Sequence, residues 1–108
     1  SLKPDYVQAY NNLGVLYKDN KKYENAIKMF TKAMSVQPDH QNSYYNIALI
    51  KEEQGLGEEA VEFLLKLLDL NPDHNDAKYH LAIIKKEEGF LEVSKKLLLE
   101  IVASDKKK

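Results

Sequence analysis

Hydrophobic residues recur every three or four positions in six stretches of the chain, the spacing of one face of an α-helix. In the first stretch Val7, Tyr10, Leu13, Gly14 and Tyr17 form this face, which predicts a helix over residues 7–20. The same spacing predicts five further helices, over residues 23–36, 41–54, 58–70, 75–88 and 91–103. Because no stretch alternates apolar and polar residues over the length of a strand, the predicted fold class is all-α.

Prolines and short polar or glycine-rich segments mark the ends of these helices. Pro38 and Pro72 each follow a helical stretch, and proline cannot continue a helix because it lacks an amide hydrogen. Gly55 and Gly89 lie in two of the breaks between helices. We expect Asp5, just after Pro4, to act as the N-cap of the first helix.

The segment Pro38-Asp39-His40 is copied at Pro72-Asp73-His74 and nearly copied at Pro4-Asp5-Tyr6, always 34 residues apart. A fixed period of this length is the signature of a tandem repeat. It divides the chain into units over residues 7–40, 41–74 and 75–108, the last of them degenerate with a charged tail. Residues 1–6 align with the end of a unit, so we interpret them as the tail of a preceding repeat. The chain is therefore expected to be three repeats cut from a longer array.

Two positions in each unit carry small residues, twelve residues apart. One position holds Gly14, Ala48 and Ala82, and the other holds Ala26, Ala60 and Ser94. Small side chains at both positions predict that the two helices of a unit cross closely. The bulky core around them is expected to be Leu13, Ile47 and Leu81 on the first helices, with Phe30, Leu64 and Leu98 on the second.

The residues at fixed offsets in the first unit resemble the tetratricopeptide repeat family. They are an aromatic, Leu-Gly, a tyrosine, an alanine, an aromatic, an alanine and a proline: Tyr10, Leu13, Gly14, Tyr17, Ala26, Phe30, Ala33 and Pro38. The second unit departs at Lys51 and Leu67, and the third departs further, with Lys106 in place of the proline. The resemblance implies antiparallel helix pairs stacked into a right-handed superhelix, an α-solenoid with a concave groove. It also implies a binding scaffold rather than a catalyst.

In the family the first helix of each pair lines the groove, which implies a set of partner-binding residues here. They are Gln8, Asn11, Asn12, Val15, Asn42, Tyr45, Asn46, Leu49, Asp76, Tyr79, His80 and Ile83. An asparagine amide both donates and accepts hydrogen bonds, so Asn12 and Asn46 could form a ladder along the backbone of an extended peptide. The alternative is that these asparagines are simply solvated, and the two readings stay open.

Apolar and aromatic residues in the same strip have two readings as well. Val15, Leu49 and Ile83 are either anchors for apolar side chains of a partner or core residues tilted slightly outward, and the core reading is preferred. Tyr45 and Tyr79 are amphipathic side chains of the kind enriched at interfaces, or they are ordinary packing residues. Neither reading of the two tyrosines is favoured.

Two functions follow from the resemblance. The first is a protein-interaction scaffold that binds an extended or helical segment of a partner in the groove. The alternative is a substrate-recruiting arm of a larger enzyme such as a glycosyltransferase, because residues 10–19 are similar to repeats of O-linked N-acetylglucosamine transferases. A chaperone carboxylate clamp is rejected, since only Asn46 matches its residues and Asp76 would repel a carboxylate.

Composition narrows the partners to protein or peptide. Sixteen basic and seventeen acidic residues give a net charge of −1, which argues against nucleic acid because phosphate contacts need a basic surplus. No apolar run approaches the ~20 residues of a membrane span. The chain has no cysteine, which permits an intracellular home, and we expect the cytoplasm.

Candidate chemistry for an enzyme or a metal site is absent from the sequence. The three histidines, His40, His74 and His80, have no helical i, i+4 partner, and there is no glycine-rich phosphate loop. We therefore expect no enzyme activity, cofactor or metal from these residues. The apolar helix over residues 91–103 and the first helix have no neighbours beyond them in the sequence, so weak to moderate self-association through the terminal helices is expected.

Overall fold

The structure, a computed structural model, describes residues 4–105. These residues form six helices: α1 (Pro4–Asp19), α2 (Tyr23–Val36), α3 (Gln41–Glu53), α4 (Gly57–Leu70), α5 (Asn75–Glu87) and α6 (Leu91–Asp105). The described range contains no strand, as the hydrophobic pattern predicts. Residues 1–3 of the predicted tail, and the C-terminal lysines that include Lys106 at the proline position, lie outside the described residues.

The helices are arranged as three consecutive helix-turn-helix pairs, α1 with α2, α3 with α4, and α5 with α6. The second helix of each pair also packs against the first helix of the next pair, at α2–α3 and α4–α5. This pattern builds an all-α solenoid whose principal extents are 44 × 31 × 19 Å. The predicted fold class is therefore confirmed.

Small residues do allow the paired helices to cross closely. A Cβ atom added to Gly14 on α1 would lie 2.6 Å from Cε1 of Phe30 on α2, far inside van der Waals contact. In the later pairs the equivalent Ala48 and Ala82 are fully buried, as are Ala26 and Ala60 on the second helices. Ser94 holds the same place on α6 and is also buried.

The core runs through the junctions between pairs as well as within them. Phe30 packs with Ala26 of its own helix and with Ile47 and Ile50 of α3. Leu64 belongs to a second cluster, which joins Ala60 and Leu67 of α4 to Ala77, Leu81 and Ile84 of α5. Phe63 packs against both clusters, so the two form one continuous core along the solenoid.

The turn inside each pair is closed in the same way. The middle residue of each three-residue turn has a positive φ: Lys21 (62°), Gly55 (77°) and Gly89 (91°). The next amide bonds back to a carbonyl five residues earlier, as from Leu56 to Lys51 at 2.8 Å. The amide of the left-handed residue itself donates to the carbonyl three residues earlier, as from Gly55 to Glu52 at 3.0 Å. These two hydrogen bonds around a left-handed residue after the helix are the Schellman arrangement.

Three details of the sequence prediction need correction. Helix α1 begins at Pro4 rather than Val7, so Asp5 lies inside the helix and is not its N-cap. Proline suits the first turn of a helix because its missing amide hydrogen would be unpaired there. Leu13 was expected in the core but is 39% exposed, because it faces away from α2 toward a side of α1 where no described helix packs. Leu98 is only half-buried, because α6 likewise has no described helix beyond it.

Candidate functional site

The predicted partner-binding residues lie on α1, α3 and α5, the first helices of the three pairs. Helices α1 and α3 are in direct contact, so their residues adjoin. Helices α3 and α5 are joined by contacts between side chains of the predicted set. The three helices thus place the set in one strip along the solenoid, which we call the first-helix strip.

The centre of this strip is a cluster of four rings. Tyr45 of α3 lies between His74 and His80, with ring centroids 5.5 and 5.7 Å away. Tyr79 packs edge-on against His80 at 5.7 Å and is itself 51% exposed. We call Tyr45, His74, Tyr79 and His80 the aromatic cluster; it offers a partner both ring faces and ring nitrogens.

His74 was not among the predicted site residues, because the sequence places it in the turn before α5. The structure makes it the N-cap of that helix, with its Nδ1 accepting from the amide of Ala77 at 3.1 Å. The equivalent His40 instead contacts the hydroxyl of Ser43 at 2.8 Å, and burial lowers the pKa of His40. Repetition of Pro-Asp-His was the one signal that could have found this role.

Glu52, one turn beyond Leu49 on α3, completes the central part of the strip. Its carboxylate lies 2.9 Å from Nδ1 of His80, which ties α3 to α5. Burial raises the pKa of Glu52, and the nearby Glu87 raises it further, whereas the contact with His80 acts in the opposite direction. A carboxyl held in this way carries its negative charge at a cost, which a cationic or hydrogen-donating partner would reduce.

Two carboxylates give the aromatic cluster an acidic setting. Burial raises the pKa of Tyr45, and the negative charges of Asp76 and Glu52 raise it further. Asp76 is exposed at the start of α5, where no described side chain pairs with it. The local field of the strip therefore opposes an anionic ligand.

The other predicted residues differ in how much of each side chain faces solvent. Gln8, Asn12 and Asn42 are exposed, whereas Asn46, Leu49 and Ile83 are half-buried. Val15 is half-buried and packs against the Phe30 cluster. Asn11 is only 8% exposed, and its Oδ1 has no hydrogen-bond partner among residues 4–105.

Features of other kinds of site are not found in the described part of the chain. No three His, Asp or Glu side chains within residues 4–105 are placed to hold a metal ion. None of the six helices is long and apolar enough to cross a membrane.

Comparison with protein families identifies the repeats. Models described as tetratricopeptide repeat match residues 7–40 and residues 41–74, which together make up more than half of the chain. Comparison with curated proteins gives no match.

Solved structures of the same fold cover nearly the whole chain at low identity. The crystal structure of MamA superimposes with a TM-score of 0.87 at 19% identity, covering 94% of this chain and 59% of that one. The structure of PilF of Pseudomonas aeruginosa superimposes with a TM-score of 0.81 at 19% identity, covering 90% of this chain and 45% of that one. The first tetratricopeptide domain of Spaghetti, bound to the HSP90 peptide SRMEEVD, superimposes with a TM-score of 0.85 at 20% identity. It covers 94% of this chain and 81% of that one. The chain thus spans about half the length of MamA and PilF.

Proposed function

Because the chain belongs to the tetratricopeptide repeat family, whose members are protein-interaction modules, we propose that it binds a partner segment along the first-helix strip. The segment is an extended or helical peptide lying across α1, α3 and α5. The observation that carries the proposal is the aromatic cluster with Glu52, which joins α3 to α5 at the centre of the strip.

The side chains of the strip suit the two needs of peptide recognition. Asn12 and Asn46 stand one repeat apart, and each amide can donate to and accept from a peptide backbone whatever its side chains are. Tyr79, half-exposed next to His80, offers a rigid apolar face with a polar end, the type of residue that dominates binding energy at interfaces.

Charge selects the kind of peptide. Asp76 and Glu52 flank Tyr45, and an acidic peptide tail would bring like charge beside both. We therefore propose a neutral or basic segment as the partner. Spaghetti domains of the same fold hold the acidic peptide SRMEEVD, but of the clamp residues discussed above this chain has only Asn46, and it has Asp76 where a lysine would be needed.

Selection from a random peptide display library, followed by calorimetric titration of the enriched peptides, tests this proposal. We expect enrichment of peptides without acidic residues, and Asn12→Ala/Asn46→Ala should weaken their binding at least tenfold, since each lost hydrogen bond costs about 1 kcal/mol. SRMEEVD should show no saturable binding.

The matched control is Asn20→Ala/Asn25→Ala, which removes two exposed asparagines outside the strip. This control should bind the selected peptides as the unmodified chain does. Equal loss of binding in both double variants would place the contact elsewhere, and selection of acidic peptides would overturn the charge assignment.

A further inference from the structure

The first junction between helix pairs contains a carboxylate that two neighbouring side chains hold. Glu53, at the end of α3, accepts a hydrogen bond from the hydroxyl of Tyr23, and its Oε2 lies 3.6 Å from Nζ of Lys21. The hydrogen bond from Tyr23 lowers the pKa of Glu53, and the positive charge of Lys21 lowers it further. The first junction thus places two donors on one carboxylate.

The second junction repeats the carboxylate without the two donors. One period of 34 residues after Glu53 stands Glu87, at the end of α5. The positions of the two donors are taken by Gly55 and Gly57, which have no side chain to offer. Within residues 4–105, no lysine or histidine forms an ion pair with Glu87. The second junction therefore keeps the acceptor and supplies no equivalent of the two donors.

A cavity of about 270 Å³ lies at this place in the second junction. It is lined by Glu52, Gly55, Gly57, Ile84, Glu87 and Glu88. Its apolar wall is Ile84, which is buried and has a methyl group 3.7 Å from where a Cβ of Gly57 would stand. Glu87 and Glu88 are exposed at its edge, and Glu88 pairs with Lys85 at 3.2 Å. An apolar wall beside carboxylates fits a side chain with an alkyl stem and a cationic head.

The charge around the cavity differs in sign from that of the first junction. There, the charge of Lys18 adds to the lowering of the Glu53 pKa described above, but one period later the residue is Glu52. Burial raises the pKa of Glu52 and the negative charge of Glu87 raises it further, because the two carboxylates repel each other. A cation beside both carboxylates would reduce this repulsion. No three His, Asp or Glu side chains within residues 4–105 are placed to hold a metal ion, so the cation that fits is an organic one.

We propose that this cavity receives an arginine side chain of the bound partner segment, whose guanidinium donates to Glu87 as Lys21 and Tyr23 do to Glu53. A guanidinium presents several N–H donors in a fixed fork, which suits a carboxylate position that takes two donors in the first junction. Glu52 lines the cavity and also contacts His80 in the first-helix strip, so the cavity continues the strip. The source of the arginine is the segment of the proposed function, on which the assignment rests.

NMR titration of the ¹⁵N-labelled chain with N-acetylarginine amide, at fixed ionic strength, tests the cavity by itself. The amide signals of Gly55, Gly57 and Glu87 should shift saturably with a dissociation constant of the order of 10 mM, since exposed ion pairs are weak. The citrulline analogue, which has a similar shape without the charge, should give no saturable shift. The lysine analogue should bind at least about threefold more weakly, because an ammonium lacks the fork. Equal binding of either analogue, or no saturable shift with arginine, would overturn the proposal.

Two variants change the cavity in different ways. Gly57→Tyr places a phenol where Tyr23 stands in the first junction, with its Cβ at an ordinary 3.7 Å from Ile84, and it should abolish the saturable shifts. Glu87→Gln should weaken arginine binding about three- to fivefold, the effect of one exposed ion pair. Glu62→Tyr and Glu62→Gln, at an exposed position outside the cavity, are the matched controls and should bind normally. Circular dichroism confirms that the variants are folded, and undiminished binding by Gly57→Tyr and Glu87→Gln would overturn the proposal.

The library-selected peptides separate this assignment from the proposed function. Peptides that bind along the strip should contain an arginine whose exchange for citrulline weakens binding at least about threefold in the unmodified chain. The same exchange should have no effect in the Gly57→Tyr chain. Peptides that bind the strip without this dependence on arginine would overturn the cavity assignment and leave the proposed function intact. Binding of arginine amide in the cavity without any peptide bound along the strip would overturn the proposed function, and with it the source of the arginine.

Discussion

Lys21 holds a backbone conformation that glycine holds at the equivalent turn positions of the other two units. Its φ of 62° lies in the left-handed region, where a Cβ atom is crowded against the following carbonyl. Gly55 and Gly89 adopt similar angles without this crowding. The first turn is therefore the most strained of the three, although its hydrogen bonds follow the same arrangement.

Lys21→Gly should raise the free energy of unfolding by roughly 0.5–1 kcal/mol, because relief of the crowding exceeds the extra entropy of glycine in the unfolded chain. The ion pair lost with Glu53 spans 3.6 Å between well-exposed groups and contributes little. Chemical denaturation measures the change. Lys22→Gly is the control and should not stabilise the protein, since residue 22 has a negative φ; a less stable Lys21→Gly chain would contradict the prediction.

Glu52 makes a residue-scale contribution to the pH dependence of stability. Burial raises the pKa of this carboxyl above its ordinary value of 4.5, so the native state binds its proton more readily than the unfolded state does. This contribution therefore stabilises the protein as pH falls through the raised pKa of Glu52, and it is lost as pH rises above that pKa.

The free energy of unfolding of the Glu52→Gln variant, relative to that of the unmodified chain, should therefore depend on pH. We expect the variant to gain most, relative to the parent, above the raised pKa of Glu52, and to lose this advantage as pH falls through that pKa toward 4.5. Denaturation midpoints of both chains from pH 4 to pH 8 measure it. Glu62→Gln, at an exposed position on α4, is the control. Its free energy of unfolding relative to the unmodified chain should stay constant over this pH range. An advantage for Glu52→Gln that grows toward acid pH would contradict the assigned direction.

At the scale of the helices, the close crossing of α1 on α2 depends on the missing side chain of Gly14. Its Cβ position lies 2.6 Å from Phe30, a fully buried ring that cannot give way. The crossing distance of this pair is therefore set by glycine, whereas alanine suffices in the second and third pairs.

Gly14→Ala should lower the stability by about 1–3 kcal/mol, because overpacking against Phe30 exceeds the gain of about 1 kcal/mol in helix propensity. Denaturant unfolding of the variant gives this value directly. Gly57→Ala is the matched control: its nearest neighbour would lie at an ordinary 3.7 Å, so the change should be neutral or stabilising. Gly14→Ala as stable as the parent would mean that α1 and α2 do not cross as closely as described.

The sequence predicted the helices well because their pattern is local. The period of 34 and the three- to four-residue spacing located six helices, with ends that differ from the structure by at most three residues. Leu13 was misplaced for a reason that spacing cannot reveal: its position is a core position only where a helix packs in front of it. The left-handed Lys21 was missed as well, because nothing in a lysine signals a positive φ.

The candidate site was predicted less completely. The family pattern indicated which positions lie on the strip, but the aromatic cluster depends on contacts between α3 and α5, which no spacing within one helix specifies. His74 and Glu52 join the cluster through Tyr45 and His80, and both were outside the predicted set.

At the scale of the whole molecule, the solenoid is longer than a globular domain of its size. Its radius of gyration is 14.7 Å, against about 13 Å for a compact domain of 108 residues. Its major helix contacts are with neighbouring helices, apart from the contact of α1 with α3, as in quasi-one-dimensional repeat proteins. This elongation spreads the first-helix strip over three helices.

NMR titration of the ¹⁵N-labelled chain with a selected neutral or basic peptide tests most directly whether partners bind along the first-helix strip. The amide shifts of α1, α3 and α5 should change, with the largest changes around Tyr45, Asn46 and His80 and little change on the outer surfaces of α2 and α4. Changes concentrated on the outer surfaces of α2 and α4 would show that partners bind elsewhere.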